Sequence, residues 1–272
     1  MNIRSVIGLL GTIALCAMSA GMACAASGDP GTGIYYSPHD LTHGPGGGGG
    51  FPSLLGWTAD PQQRLCAYCH TPHHANQIKY GENEYVPLWS RAISKGEYTP
   101  YASATFSVMG GTTLASDPLI GPSRLCMSCH DGVTAVDNYY GKVDGFVKLT
   151  NSGTTYQTMP VVGNSTPVAN GSMNHPIGFM MTDVIPGYPG ASYADPDIWS
   201  MGVNPNFYYV GNTGNPTLSV FKRLYLGVYL TCSTCHDVHN SLNKLTDIQP
   251  SGKNMLLLGT QKNSGICVTC HT

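Results

Sequence analysis

Cys66-Ala67-Tyr68-Cys69-His70 is the first of four stretches of one form; the others are Cys126-Met127-Ser128-Cys129-His130, Cys232-Ser233-Thr234-Cys235-His236 and Cys267-Val268-Thr269-Cys270-His271. Each reads C-x-x-C-H. In that pattern two thiols bond the vinyl groups of a porphyrin and the adjoining imidazole ligates its iron, so the stretch is the attachment signal of c-type haem. Two readings compete. Paired C-x-x-C units also build tetrahedral zinc–thiolate cages, and an even cysteine count in an exported chain also suits a disulfide framework. Neither requires a histidine after every second cysteine. All eight cysteines beyond residue 25 fall in these stretches. We therefore expect four covalently bound haems c, held by Cys66, Cys69, Cys126, Cys129, Cys232, Cys235, Cys267 and Cys270, with His70, His130, His236 and His271 on the irons.

The other histidines are His39, His43, His73, His74, His175 and His239, six candidates for four second axial positions. Supply exceeds demand, which favours irons that are all bis-histidine, with none open to substrate. Methionine is the rival ligand, with 11 in the chain. Met173, Met180, Met181 and Met201 read instead as fillers of irregular apolar gaps. His73 follows His70 by three residues, and His239 follows His236 by three in Cys235-His236-Asp237-Val238-His239. With metal–imidazole bonds of about 2 Å, the two axial nitrogens of one haem stand roughly 4 Å apart on opposite porphyrin faces. A three-residue excursion does not carry the chain around the ring edge. Each of these histidines therefore ligates a haem other than the one its own motif holds, or it ligates none and caps a turn or bonds a propionate. As ligands, they would tie neighbouring haems together through segments a few residues long. His175, alone in the cysteine-free gap 131–231, and His39 are taken as the remaining second ligands, with His43 and His74 as spares.

Asp60 and Pro61 supply helix-start chemistry ahead of residues 62–69, predicting a short helix into the first motif. Gly121-Pro122-Ser123 predicts another into the second, ended by Asp131-Gly132. Trp89, Tyr98, Tyr101 and Phe106 are scattered rather than periodic and suit packing against porphyrin faces and edges. Residues 145–149 and 218–221 alternate as short strands do, and 221–230 reads as a hairpin arm. The motif spacings of 60, 106 and 35 residues share no period, which argues against a solenoid. With no sustained amphipathic period, the haems themselves are the expected core. The expected fold is mainly irregular and haem-organised, with short α-helices at the C-x-x-C-H motifs and a few short β-strands.

Residues 1–25 read as an export signal: Arg4, an apolar run over 6–18 and the small-residue site Ala23-Cys24-Ala25. The run is shorter than the roughly 20 residues that span a bilayer, so no transmembrane segment is expected. Residues 26–272 then form a single tetrahaem domain with a Gly/Pro-rich N-terminal arm at 26–55. The expected location is secreted, extracellular or cell-surface. Charged residues make up 10% of the chain and its net charge is −2, against about 25% charged in ordinary soluble domains. Nothing here suits nucleic acid. So few charges leave a weakly self-repelling surface that tolerates packing against copies of itself, although a covering of Ser, Thr, Asn and Gly explains the composition equally.

Taken in order, Ser-Pro-His39-Asp-Leu, Cys-Ala-Tyr-Cys-His70-Thr-Pro-His73, Pro87-Leu88-Trp89, Ser-Arg-Leu-Cys126-x-x-Cys-His130-Asp-Gly, Asn-His175-Pro-Ile-Gly, Cys232-x-x-Cys-His236-Asp-Val-His239 and Cys267-x-x-Cys-His271 resemble the exported multihaem c-type cytochromes with doubled C-x-x-C-H motifs. The resemblance is closest to the OmcE-type tetrahaem cytochromes that form extracellular filaments, and it is thin over 78–122 and 179–228. It implies bis-histidine haems, with His39, His175 and His239 serving within the subunit. It further implies that His73 is donated to a neighbouring subunit, to the haem of His271 there, in a homopolymer of stacked haems. Redox partner cytochromes and an extracellular electron acceptor follow from the same likeness. The implied activity is electron transfer and not enzymatic catalysis. The alternatives are a monomeric periplasmic tetrahaem shuttle and a multihaem reductase with an open axial site.

Overall fold

Each C-x-x-C-H stretch is wound into about one helical turn. In the first, third and fourth, the histidine N–H donates to the carbonyl of the first cysteine: His70 to Cys66 at 2.8 Å, His236 to Cys232 at 3.0 Å and His271 to Cys267 at 2.9 Å. The second stretch lies inside a helix. Residues three and four apart share a helix face, so this winding puts both thiols of a motif on one side with the imidazole beside them. The computed structural model from which these contacts come describes residues 34, 39–40, 64–73, 75, 88–93, 119–130, 175–191, 195–212, 215–239 and 256–272. The expected export signal, most of the N-terminal arm, His43, His74 and the alternating stretch 145–149 lie outside the described residues.

The described elements are, in order, α1 (Pro122–His130), β1 (Phe179–Met180), α2 (Met181–Val184), a 3-10 turn (Val220–Arg223), β2 (Tyr229–Leu230), α3 (Cys232–Cys235), a second 3-10 turn (Lys262–Ser264) and α4 (Gly265–Val268). Helix α1 begins as its sequence predicts, with Pro122 at the first position, where a missing N–H costs nothing. Gly121 before it has φ +58°, and a Cβ there would lie 2.8 Å from the Tyr225 ring. Both the conformation and the close approach demand glycine. Strands β1 and β2 pair antiparallel, with Phe179 opposite Leu230 and Met180 opposite Tyr229.

Three local expectations are revised. Residues 64–69 form a run of turns and not a regular helix. Residues 218–221 do not make a strand, because the Ser219 Oγ accepts from the Phe221 N–H at 3.2 Å and starts the 3-10 turn instead. Such a side-chain bond offers the backbone an alternative to a ladder. The hairpin expected over 221–230 is tighter: Tyr225 and Tyr229 exchange backbone bonds of 2.9 Å around a turn with Leu226 at φ 52° and Gly227 at φ 77°. Its last residues then pair with β1, whose two residues are too few to show alternation.

Alongside any haem core, the chain builds an apolar cluster of its own. Phe179, Met181, Val184, Ile185, Ile198, Phe207, Tyr209, Val220, Leu224, Leu230 and Leu258 are buried together. All but Leu258 come from the long cysteine-free gap. Burying a Leu, Ile or Phe side chain is worth about 1.5–3 kcal/mol, so this cluster is a platform on which motifs three and four are mounted. Thr269 Oγ1 donates to the Gly265 carbonyl at 2.9 Å and accepts from the Val210 N–H at 3.1 Å. Asn204 Nδ2 donates to the Thr269 carbonyl at 3.3 Å, and the Trp199 indole N–H to that of Val268 at 3.0 Å.

Gly265 allows this seat, since an added Cβ would stand 2.2 Å from Thr260 Cγ2 and 2.9 Å from its carbonyl oxygen. Gly265→Ala is predicted to lower the unfolding free energy by about 1–3 kcal/mol, read by denaturant titration. Adding Thr260→Ala should recover part of the loss, because the carbonyl clash remains.

Candidate metal centres

The motifs meet in sequence order. The Cys69 thiol is pushed up to about 12 by burial first and by Cys129 next, with Arg91 opposing, which sets motif one beside motif two. Cys126 and Cys232 face one another, which pushes the Cys126 thiol up and holds that of Cys232 down. The Cys232 N–H also donates to Ser123 Oγ at 3.1 Å, so motifs two and three are in contact through both thiol and backbone. Cys270 is pushed up to about 12 by burial, then by Cys235 and Cys267, and Cys235 up to about 11 by burial, then by Cys232 and Cys267. Motifs three and four are therefore neighbours as well. Among the described residues no disulfide joins any of the eight motif cysteines.

Histidines meet in twos. His70 and His239 have ring centres 6.1 Å apart, His39 and His130 6.1 Å apart, and His175 and His271 6.2 Å apart. A metal–nitrogen bond is about 2 Å and the ring centre lies ~1 Å further on, so two imidazoles on opposite faces of one ion have centres roughly 6 Å apart. The three pairs match that separation, and each joins one C-x-x-C-H histidine to one histidine from elsewhere. Among the described residues no three His, Cys, Asp or Glu side chains converge as a zinc cage requires. The donor set and spacing fit c-type haem at motifs one, two and four.

Each second histidine is presented by its neighbours. The His239 N–H donates to Asp237 Oδ1 at 3.0 Å. Asp237 is itself anchored by Arg223, 3.4 Å away, whose guanidinium also donates to the Ser233 carbonyl at 3.2 Å. His175 Nδ1 lies 2.9 Å from the Pro176 carbonyl. A carbonyl only accepts, so Nδ1 carries the proton and Nε2 keeps the lone pair that a metal needs. His39 is pushed down to about 4 by burial, then by His130, His236 and His239, which favours the neutral imidazole. His73 is exposed, with its N–H held by Thr71 Oγ1 at 3.2 Å. Thr71-Pro72-His73 and Asp237-Val238-His239 are thus the same device, a side-chain-capped turn that displays a histidine three residues past its motif.

The resemblance aims His73 at the haem of a neighbour's His271, but here His175 faces His271 at axial separation. The sequence reading passed over Arg91, Ser128, Asp237 and Arg223. Arg91 is buried and its Nε donates to the Ser128 carbonyl at 3.3 Å. Trp89 donates its indole N–H to Ser128 Oγ at 3.1 Å and stands edge-on to His70, with ring centres 5.7 Å apart. Arginine in a chain with only 10% charged residues was the available signal. No protein-family model and no curated protein matches the chain.

His239→Ala is predicted to leave four haems attached and to turn one ferric haem high-spin. Removing the first motif's thiols as well, with Cys66→Ala and Cys69→Ala, should abolish the high-spin signal; removing those of the third motif should not. Optical spectra of the purified variants check it.

Proposed function

We propose that the chain is an electron-transfer protein carrying four covalently bound haems c, and that it works as the subunit of a polymeric extracellular filament for long-range electron transport. The observation that carries the reading is the repeated separation of 6.1, 6.1 and 6.2 Å between a C-x-x-C-H imidazole and a second imidazole. Haem held by these residues would supply reversible one-electron transfer. The residues around it hold that state in place. Asp237 and Pro176 fix the second ligands, buried thiols face their neighbours from motif to motif, and Trp89 and Ser128 join motif one to motif two. Two imidazoles at a site leave no coordination position for a substrate, which favours electron transfer over catalysis at these three sites.

Support for assembly is of a different kind. The three pairs use six histidines, and the exposed, turn-displayed His73 lies outside them. With His175 at His271, a donated His73 serves a haem other than that of His271. The low charge density of the chain keeps repulsion between copies weak. Export through residues 1–25 places the subunit outside the cytoplasm, where redox partner cytochromes load it and an extracellular acceptor unloads it. Among the described residues no helix is long and apolar enough to cross a membrane.

Secreted native material, weighed intact and imaged by negative stain, is expected to carry four haems per chain and to form fibres. His73→Ala should keep all four haems and lose the fibres. Discrete monomers with four low-spin haems would replace the filament with a periplasmic shuttle, and a high-spin fraction in the native protein would favour a reductase.

A further inference from the structure

The three histidine pairs share a separation but not an orientation. The His70 and His239 rings lie at 27° to one another, whereas His39 and His130 cross at 65° and His175 and His271 at 71°. An imidazole bound to iron turns easily about its metal–nitrogen bond, so its plane is set by what packs against the ring. Trp89 packs against His70, its indole meeting the imidazole at 86° with centres 5.7 Å apart. The indole is fixed at both ends. Its backbone is bridged to the motif by Thr71 N–H to Leu88 O at 2.8 Å and Ser90 N–H to Cys69 O at 2.9 Å. Its side chain donates to Ser128 Oγ at 3.1 Å, and that hydroxyl donates on to the Leu125 carbonyl at 2.7 Å, inside α1.

We propose that Trp89 is a positioning residue that holds the His70 imidazole near-parallel to that of His239, making the first haem site electronically unlike the second and fourth. The inference rests on the haem reading above. The π orbital of an axial imidazole mixes with the iron d orbital that lies across its ring plane. Two near-parallel rings single out one of the two available d orbitals and split the pair, whereas crossed rings treat both alike and leave them nearly degenerate. In low-spin ferric haem that splitting sets the magnetic anisotropy. Near-parallel ligands give a rhombic three-line resonance, and crossed ligands give one extreme low-field line. A row of haems with one ligand set is thereby made inequivalent by packing alone. Anchoring the indole on Ser128, between Cys126 and Cys129, makes the second motif part of that control.

The test is low-temperature electron paramagnetic resonance of the oxidised, haem-loaded full chain, with haem content counted by intact mass. The expected spectrum contains both kinds of signal, the rhombic one integrating to at least one haem and the low-field one to at least two. Trp89→Leu should shift or broaden the rhombic component and leave the low-field lines in place with four haems retained; loss of a structural prop would disturb all components together. Ser128→Ala, which frees the indole without touching the ring contact, should move the same component by less, and it carries the test if Trp89→Leu fails to accumulate. A wild-type spectrum without a rhombic species, or variants whose rhombic lines superimpose on the wild type, would overturn the proposal. Absence of any low-spin ferric haem signal would instead overturn the haem reading beneath it.

Discussion

Two imidazoles that share one iron must hold their ring centres roughly 6 Å apart, and in this chain three pairs of histidines from segments far apart in sequence stand at that separation. His39 is brought to His130, His175 to His271, and His70 to His239. The last of these has the widest consequence. His236 belongs to the third motif, and only three residues later His239 faces the histidine of the first. A span that short keeps the two Cα atoms within ~11 Å, so the first and third motifs are held at close range by a single turn. The contacts between thiols of successive motifs then have little freedom to be otherwise.

Many of the other described residues support these pairs from outside them. The apolar cluster from 179 to 258 is a rigid base, and loop residues such as Trp199, Asn204 and Val210 bind the backbone or the Thr269 side chain of the fourth motif from it. Arg223 links the 3-10 turn on that base to Ser233 and Asp237 in the third motif. Side chains that cap turns recur where a histidine has to be displayed, with Asp237 before His239 and Thr71 before His73. Few-residue helices and two-residue strands are adequate here because the distances that matter are set by local turns and by buried side chains.

The four C-x-x-C-H stretches stand out in the sequence because haem attachment would prescribe both residue type and spacing. The placement of His239 away from its own motif's histidine followed from chain length alone, and the structure sets it beside His70. The choice of partner did not follow. Nothing in spacing distinguishes His39 for the second motif from His39 for the fourth, since pairing is decided by long-range packing that one sequence does not display. The apolar cluster was missed for a related reason. Its members, such as Ile185, Phe207 and Leu224, come from bends and irregular segments where burial follows no period. Trp89 was noticed as an aromatic suited to a porphyrin edge, but its hold on His70 depends on Ser128, 39 residues away.

The position of each iron between its two imidazoles decides whether these histidine pairs are haem ligands. A density map of the haem-loaded, secreted protein at a resolution that shows axial ligands is predicted to place the iron of the haem on Cys66 and Cys69 between His70 and His239, that on Cys126 and Cys129 between His130 and His39, and that on Cys267 and Cys270 between His271 and His175. An iron of the third motif ligated by His239, or a haem at His271 whose second ligand is any residue other than His175, would contradict it.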